Sequence, residues 1–256
     1  MASSIFKPRP RGGAWPVVSA WLGVVLVVAA AALMAGSGSA YRLDWVSLGT
    51  SFSMLRQGAH LAVGAGAVGL ITVLVAAFCR RWRLVLVGLL TSAAVVAMIA
   101  LPAHMMQRAQ TVPPIHDITT DLEHPPAFEA LAAAREAAPN EVAYPQGFAD
   151  QQRAAYGRLH ALTLPVPMED AMAAVEATVV ARGWEVAAVS DSRLEATATT
   201  RWFGFKDDVV IRLTQVDDGV RVDMRSASRV GQSDLGTNAA RIQDFLNDLA
   251  MRMAAG

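Results

Sequence analysis

Trp15 to Met34 is a run of twenty residues without a charge, enough at about 1.5 Å rise per residue to cross roughly 30 Å of hydrocarbon as a helix. Two further runs repeat the pattern: Ala59 to Phe78, with His60 at its edge, and Leu84 to Leu101, stopped by Pro102. A chain that is 54% hydrophobic is too apolar for an ordinary soluble domain unless the excess is concentrated somewhere, and here it is. Three transmembrane helices at about 15–34, 59–78 and 84–101 are therefore expected, forming a membrane anchor over residues 1–108. Residues 109–256 are left to form a separate water-soluble domain.

Charge separates the halves again. Residues 1–108 hold nine of the 22 basic side chains and one of the 22 acidic ones, Asp44, so a formal net charge of zero hides a basic anchor and an acidic domain. An acidic surface releases no counterions from phosphate, which argues against a nucleic-acid partner. Arg80, Arg81 and Arg83 lie between the second and third runs with almost no linker, so those spans form a tight antiparallel hairpin, with Trp82 suited to the interface. Lys7, Arg9 and Arg11 share the side of that turn, giving six positive charges against Arg42, Arg56 and Arg108 on the other. The rule that basic loops stay inside then puts the N-terminus in the cytoplasm of a bacterial-type inner membrane and the C-terminal domain outside it. Ala35-Gly36-Ser37-Gly38-Ser39-Ala40 looks like a small-residue cleavage site, but a twenty-residue core exceeds the usual 7 to 15 of a signal peptide and favours an uncleaved anchor.

Cys79 is the single cysteine, so neither an intramolecular disulfide nor a multi-thiolate metal site can form, and packing is its expected role. Gly58, Gly64, Gly66 and Gly69 lie among alanines in the second span. Small residues let helices approach closely, here one another in preference to a partner.

In the exported half, Thr111 to Pro126 is punctuated by four prolines and reads as an extended strap. Short helices are expected near Ala127–Ala137 and Phe148–Arg158. A longer one spans Pro167–Arg182, with an apolar stripe at Met168, Met172, Val175 and Val179 and Gly183 as its cap. The period then changes to two. Glu185–Ser190, Leu194–Phe205, Asp208–Val216 and Val220–Val230 read as four strands separated by Asp191-Ser192, Lys206-Asp207 and Asp218-Gly219 turns. A final helix begins near Ser233 or Thr237, with Ile242, Phe245, Leu246, Leu249 and Met253 on one face. The expected fold is α+β: a four-stranded antiparallel sheet with helices on one face and the other face open.

Register says what the open face would show. A two-residue type I′ turn at Asp218-Gly219 pairs Asp217 with Val220 and sets Leu213 opposite Met224, Ile211 opposite Ser226 and Gln215 opposite Val222. The open face then carries Arg212 opposite Arg225, Thr214 opposite Asp223 and Asp208 opposite Arg229, with Arg221 beside them. Like charges directly opposite are destabilising, so Arg212 and Arg225 need an anion. An internal carboxylate such as Asp223 or Glu195 would serve, as would an external headgroup or small acid on an arginine fork.

Two stretches are denser than architecture requires: Ile115-His116-Asp117-Ile118-Thr119-Thr120-Asp121, and Arg225-Ser226-Ala227-Ser228-Arg229-Val230-Gly231-Gln232-Ser233-Asp234-Leu235-Gly236-Thr237-Asn238 running on to Ile242. With Trp202 to Arg212 they resemble the bacterial domain-of-unknown-function family fourteen-ninety-nine over about residues 112 to 250. The resemblance implies a domain often carried behind membrane spans, as here, and brings no catalytic residues and no ligand with it.

Hydrolysis would need Ser226, Ser228 or Ser233 as nucleophile, His116 as base and Asp117 as orienter. No Gly-x-Ser-x-Gly elbow surrounds any of these serines, and Ser233 with Asp234 suits a helix cap. His116, Asp117, Asp121, Glu123 and His124 have metal-binding atoms, but a proline-bounded strap does not aim them as a helical His-Glu-x-x-His would, and no metal or cofactor is expected. His116 and Asp117 are better suited to docking the strap through hydrogen bonds to Arg225, Arg229 or Arg241. The function expected is a membrane-tethered binding or scaffolding module of the cell envelope. Its partner would be the bilayer, an envelope lipid or lipid-like ligand, or a neighbouring membrane protein. The candidate ligand-binding residues are Arg212, Arg225, Arg229 and Asp208, with His116 and Asp117, and a hydrolase-like enzyme is the alternative.

The orientation has a direct test. Alkaline phosphatase fused after Gly256 should be active, and an inactive phosphatase paired with a fluorescent cytoplasmic reporter at the same position would overturn the six-to-three argument.

Overall fold

The structure is a computed structural model that describes residues 11–255; Lys7 and Arg9 of the basic N-terminus, and Gly256, lie outside them. The chain divides into two compact units, Met1–Met105 and Met106–Gly256.

In the first unit lie α1 (Trp15–Arg42) and α2 (Leu48–Phe78), together with most of α3 (Trp82–Thr111). All three helices are long and apolar enough to cross a membrane. Each runs beyond its apolar core. α1 continues through Ala35 to Ala40, and α2 starts early because the Ser47 side chain accepts the Thr50 N–H as an N-cap. The expectation that Pro102 ends the third helix is corrected: Pro102 sits inside α3. Proline removes one backbone donor and crowds the preceding turn, yet the Ala, Met, Gln and Arg residues that follow are strong helix formers. Three of the four glycines singled out in α2 face helices of the same unit, whereas Gly64 is exposed with open space beside it. A Cβ on Gly58 would meet Met34 and the Ala30 carbonyl of α1, one on Gly69 the Gly88 carbonyl of α3, and one on Gly66 the Val95 side chain. Only close backbone approach leaves so little room.

The second unit is built on one antiparallel sheet of six strands, correcting the four expected. In chain order its elements are β1 (Asp117–Thr119), α4 (Ala132–Glu136), α5 (Phe148–Tyr156), β2 (Leu162–Leu164), α6 (Met168–Ala181), β3 (Glu185–Ser190), β4 (Arg193–Thr199), β5 (Lys206–Val216), β6 (Gly219–Ser228) and α7 (Thr237–Ala255). The strand order is β1-β6-β5-β4-β3, and β2 shares the outer edge of β6 with β1. β1 lies beside residues 225–227 of β6, and β2 beside residues 220–222. Both additions are three residues long, too short for an alternating pattern to declare itself.

α6 and α7 cover one face, as the stripes imply. Leu194, Ala196, Val209, Ile211, Leu213, Val222 and Met224 from the sheet meet Val175, Val179, Ile242, Phe245 and Leu249 from the helices. Trp184 stacks on Phe245 at 5.6 Å. α6 ends in a Schellman motif: Gly183 at φ +67° donates to Val180 O, and Trp184 donates to Val179 O. α7 begins on Asp234, whose carboxylate accepts the Gly236 and Asn238 N–H groups at 2.8 and 2.7 Å.

Two turns fall elsewhere than the sequence suggests. Lys206 and Asp207 belong to β5, and the preceding loop is closed by Thr200 N–H to Phe205 O at 2.9 Å. Val216 pairs with Gly219, so the β5–β6 loop is Asp217-Asp218 and Gly219 opens the strand. That glycine is there for β2: a Cβ on it would overlap the Leu164 carbonyl. Its φ of +129° is a second reason no other residue fits.

Phe245 is fully buried. Phe245→Ala should therefore destabilise the full-length protein by about 3–5 kcal/mol, the usual cost of a large core truncation. Denaturant unfolding in detergent measures it, and a loss below about 1 kcal/mol would place this face of α7 outside the core.

Candidate functional site

The face of the sheet away from α6 and α7 is not open. Residues 120–146 fold back over it as a roof, correcting the exposed polar face expected from alternation. Phe128 and Leu131 of the roof pack on Val210 and Ala227. Because both faces are covered, β4 is buried at both its apolar and its polar positions. Polar groups so placed need partners, and the roof backbone provides them. Glu195 accepts the N–H groups of Glu129, Ala130 and Leu131 at 2.8, 3.2 and 2.9 Å. Gln152 of α5 donates to Thr119 O at 2.6 Å and accepts Thr119 N–H at 3.1 Å, pairing the free side of β1 as a neighbouring strand would.

Under the roof lies a charge network. Arg225 forms a two-pronged pair with Asp117, Nε to Oδ1 at 2.9 Å and a terminal nitrogen to Oδ2 at 2.6 Å. It also donates to Pro126 O and Val142 O. Arg135, wholly buried, reaches Asp208 at 3.2 Å and Ala227 O at 3.0 Å. Both guanidiniums lie 4.7 Å from the centre of the Phe128 ring. Arg229 closes on Asp208 through two bonds of 2.9 and 2.8 Å, and the Thr197 hydroxyl donates to the same carboxylate at 2.9 Å. Burial pushes the Asp117 carboxyl up, and the Arg225 fork opposes that. The fork on Asp208 raises Arg229 above the usual guanidinium value.

At the rim, Arg212 bonds Asp121 at 2.8 Å, Asp223 at 3.2 Å and the His124 carbonyl at 3.0 Å. Arg221 joins Asp223 at 3.0 Å. Slight burial would raise Asp121, but the His124 N–H and Arg212 outweigh it and hold the carboxyl below its usual value.

These contacts follow a register different from the one the sequence suggested. Arg212 faces Asp223, Thr214 faces Arg221, Asp208 faces Ala227, Leu213 faces Val222 and Ile211 faces Met224. Arg225 faces Val210 on one side and Thr119 on the other, so the like-charge opposition of Arg212 and Arg225 does not occur. Asp208 and Arg229 still meet, as diagonal neighbours.

The motif in β6 and the start of α7 forms a second network, on the helix side. The Ser226 hydroxyl donates to Asn238 Oδ1 at 2.7 Å, and Asn238 Nδ2 donates to Ser228 Oγ and His116 O, both at 3.0 Å. Arg241 bonds Ser226 and Asn238 and pairs with Asp207 at 2.5 Å. The hydroxyls proposed as nucleophiles are thus held by an amide and a guanidinium. The His116 Nδ1 atom has no hydrogen-bond partner among the described residues, and its ring makes an edge contact with Phe148. Burial holds the imidazole below its ordinary pKa against the opposing charge of Asp117. Asp117 is engaged by Arg225 instead of orienting that ring. Ser233 accepts the Leu235 N–H. Among the described residues no group of three or more His, Cys, Asp or Glu is placed to hold a metal.

A cleft of about 600 Å³, which no sequence pattern announces, lies between the end of α5, the first turns of α7 and the segment around Arg108 and Val112. Every residue lining it belongs to the second unit. Its walls are mainly alanines (Ala154, Ala155, Ala239, Ala240) with Leu159, and its polar groups include Arg108, Arg158 and Tyr156. Gly236, at φ +76°, keeps one wall thin: a Cβ there would sit 3.2 Å from the Tyr156 hydroxyl and 3.6 Å from Arg108. That hydroxyl is buried and has no partner among the described residues, and burial raises its pKa.

A six-stranded antiparallel sheet with two helices on one face and a roof of its own chain on the other defines an α+β domain, carried behind three membrane-length helices. The family model described as protein of unknown function (DUF1499) matches residues 117–249, more than half of the chain, which therefore belongs to that family. No curated protein matches it.

Removing one member of a buried ion pair strands the other charge, at about 3–5 kcal/mol. Asp117→Asn and Arg225→Gln should each cost the full-length protein about that much, and the double variant less than their sum. Additive losses in denaturant unfolding would show that the two side chains are not coupled.

Proposed function

We propose that this chain is a membrane-tethered binding module of the cell envelope, acting on an envelope lipid, a lipid-like ligand or a neighbouring membrane protein. Its three apolar helices hold it in a cytoplasmic membrane with the N-terminus inside, and its α+β domain works on the non-cytoplasmic side. The six-to-three distribution of basic residues supports that orientation.

One contrast carries the binding reading. The arginines of the sheet face are engaged by carboxylates of the same domain, whereas Arg108 and Arg158 border a concave, largely aliphatic cleft and take part in no ion pair among the described residues. A cleft of this size with a few polar groups is the ordinary form of a ligand site. The six sheet and strap residues singled out from the sequence then serve as its support: Asp117, Asp208, Arg212, Arg225 and Arg229 through their ion pairs, and His116 through the carbonyl that receives Asn238. They fix the roof and β1, and through α5 one wall of the cleft.

The protein extracted from membranes in mild detergent and examined by native mass spectrometry should carry a small-molecule adduct or a protein partner. A spectrum of bare protein under conditions that preserve known lipid adducts on a control membrane protein would overturn this reading.

A further inference from the structure

We infer that the occupant of the cleft is an anionic, acyl-chain-bearing lipid drawn from the membrane that anchors the protein, an inference that rests on the binding reading and names its ligand class. The walls supply the first argument. Val112, Leu159, Ala239 and Ala240 present short aliphatic surface, which accepts methylene groups through burial alone and offers a sugar or a peptide little to hydrogen-bond.

Charge supplies the second. Arg108 and Arg158 line the cleft, no aspartate or glutamate does, and neither arginine has an ion-pair partner among the described residues. Asp234 lies close enough to influence Tyr156, but its carboxylate is taken up by the Gly236 and Asn238 N–H groups. The C-terminal end of α5 and the N-terminal end of α7 border the cleft with opposite dipoles, so the arginines set its sign. A guanidinium binds a phosphate oxygen pair with matching geometry.

Covalent connection supplies the third. Arg108 follows Leu101, the end of the third apolar run, by seven residues. Even fully extended, that stretch reaches only about 25 Å. One cleft residue is therefore always within a short tether of lipid headgroups, which raises the local concentration of membrane lipid far above that of a soluble anion.

The test uses the full-length protein in uncharged detergent, with native mass spectrometry and three probes: dioleoylphosphatidylglycerol, dioleoylphosphatidylcholine and glycerol phosphate without chains. Wild type should retain phosphatidylglycerol in clear preference to the other two. Arg108→Gln should lower that retention about tenfold, the equivalent of one charge-assisted hydrogen bond. Ala240→Trp, made from an exposed position so that the fold survives, should fill the cleft and lower retention similarly; unchanged thermal midpoints confirm that both variants are folded. Equal retention of the two lipids removes the anionic headgroup from the inference, and glycerol phosphate binding as well as the lipid removes the acyl chain. If wild type holds phosphatidylglycerol and both folded variants hold it equally, the cleft is the wrong place and the broader binding reading stands. Should wild type hold none of the three, while native extracts still show another adduct or a protein partner, the lipid assignment alone fails.

Discussion

Asp117 and Arg225 join the two ends of the domain's sequence in one buried, two-pronged ion pair, and the covered face of the sheet is organised around it. Two charges taken out of water repay their desolvation only when geometry is good and the remaining donors are satisfied. Arg225 meets that condition by spending further N–H groups on Pro126 and Val142 carbonyls, so the same side chain that holds β1 to β6 also holds the roof. Arg135 makes comparable bonds to Asp208, Ala227 and Glu141, while its buried Nε has no partner among the described residues. The strap is thereby a layer of the fold, and its prolines are compatible with that because they flank β1, whose residues make the ladder to β6.

Much of the architecture was legible because periodicity survives burial. The stripes of α6 and α7 and the alternation of β4, β5 and β6 depend only on which side chains point which way, and those faces are as expected. The hairpin slip illustrates the limit. Moving the turn from Asp218-Gly219 to Asp217-Asp218 shifts each pairing by two residues, which leaves every side chain on its face yet changes every partner. A glycine beside an aspartate is a strong turn signal. Here it marked the approach of the Leu164 carbonyl from β2, a strand too short to be seen.

The roof was illegible for a related reason. Alternation of polar and apolar residues ordinarily means one wet face, and Leu194-Glu195-Ala196-Thr197 alternates in that way. Yet Glu195 and Thr197 are buried: Glu195 accepts backbone N–H groups of the roof, and Thr197 bonds Asp208 directly opposite it on β5. Pattern reading cannot distinguish water from a hydrogen-bonded roof as the neighbour of a polar side chain. Arg135 was missed likewise: an arginine among alanines on a five-residue helix has the sequence of a solvent-facing residue and the environment of a core one. The cleft left even less trace, since alanines and a tyrosine around a glycine are ordinary helix and loop composition.

The density of the motif from Arg225 to Ile242 invites reading it as a site, but its hydrogen bonds assign most of it to construction. Ser226, Ser228 and Asn238 tie β6 to the start of α7 and to the His116 carbonyl. Arg241 pairs with Asp207, and Asp234 starts the helix. Each bond fixes the angle at which α7 leaves the sheet, and α7 in turn presents Ala239, Ala240 and Gln243 to the cleft. Gly236 stands where both demands meet, turning the chain at positive φ while leaving space beside Tyr156 and Arg108. A residue set that holds a helix rigidly beside a concave surface is what a binding site requires of its supporting layer. The sequence density and the cleft are thus parts of one arrangement, in which the motif builds one wall and the less conspicuous residues line the space.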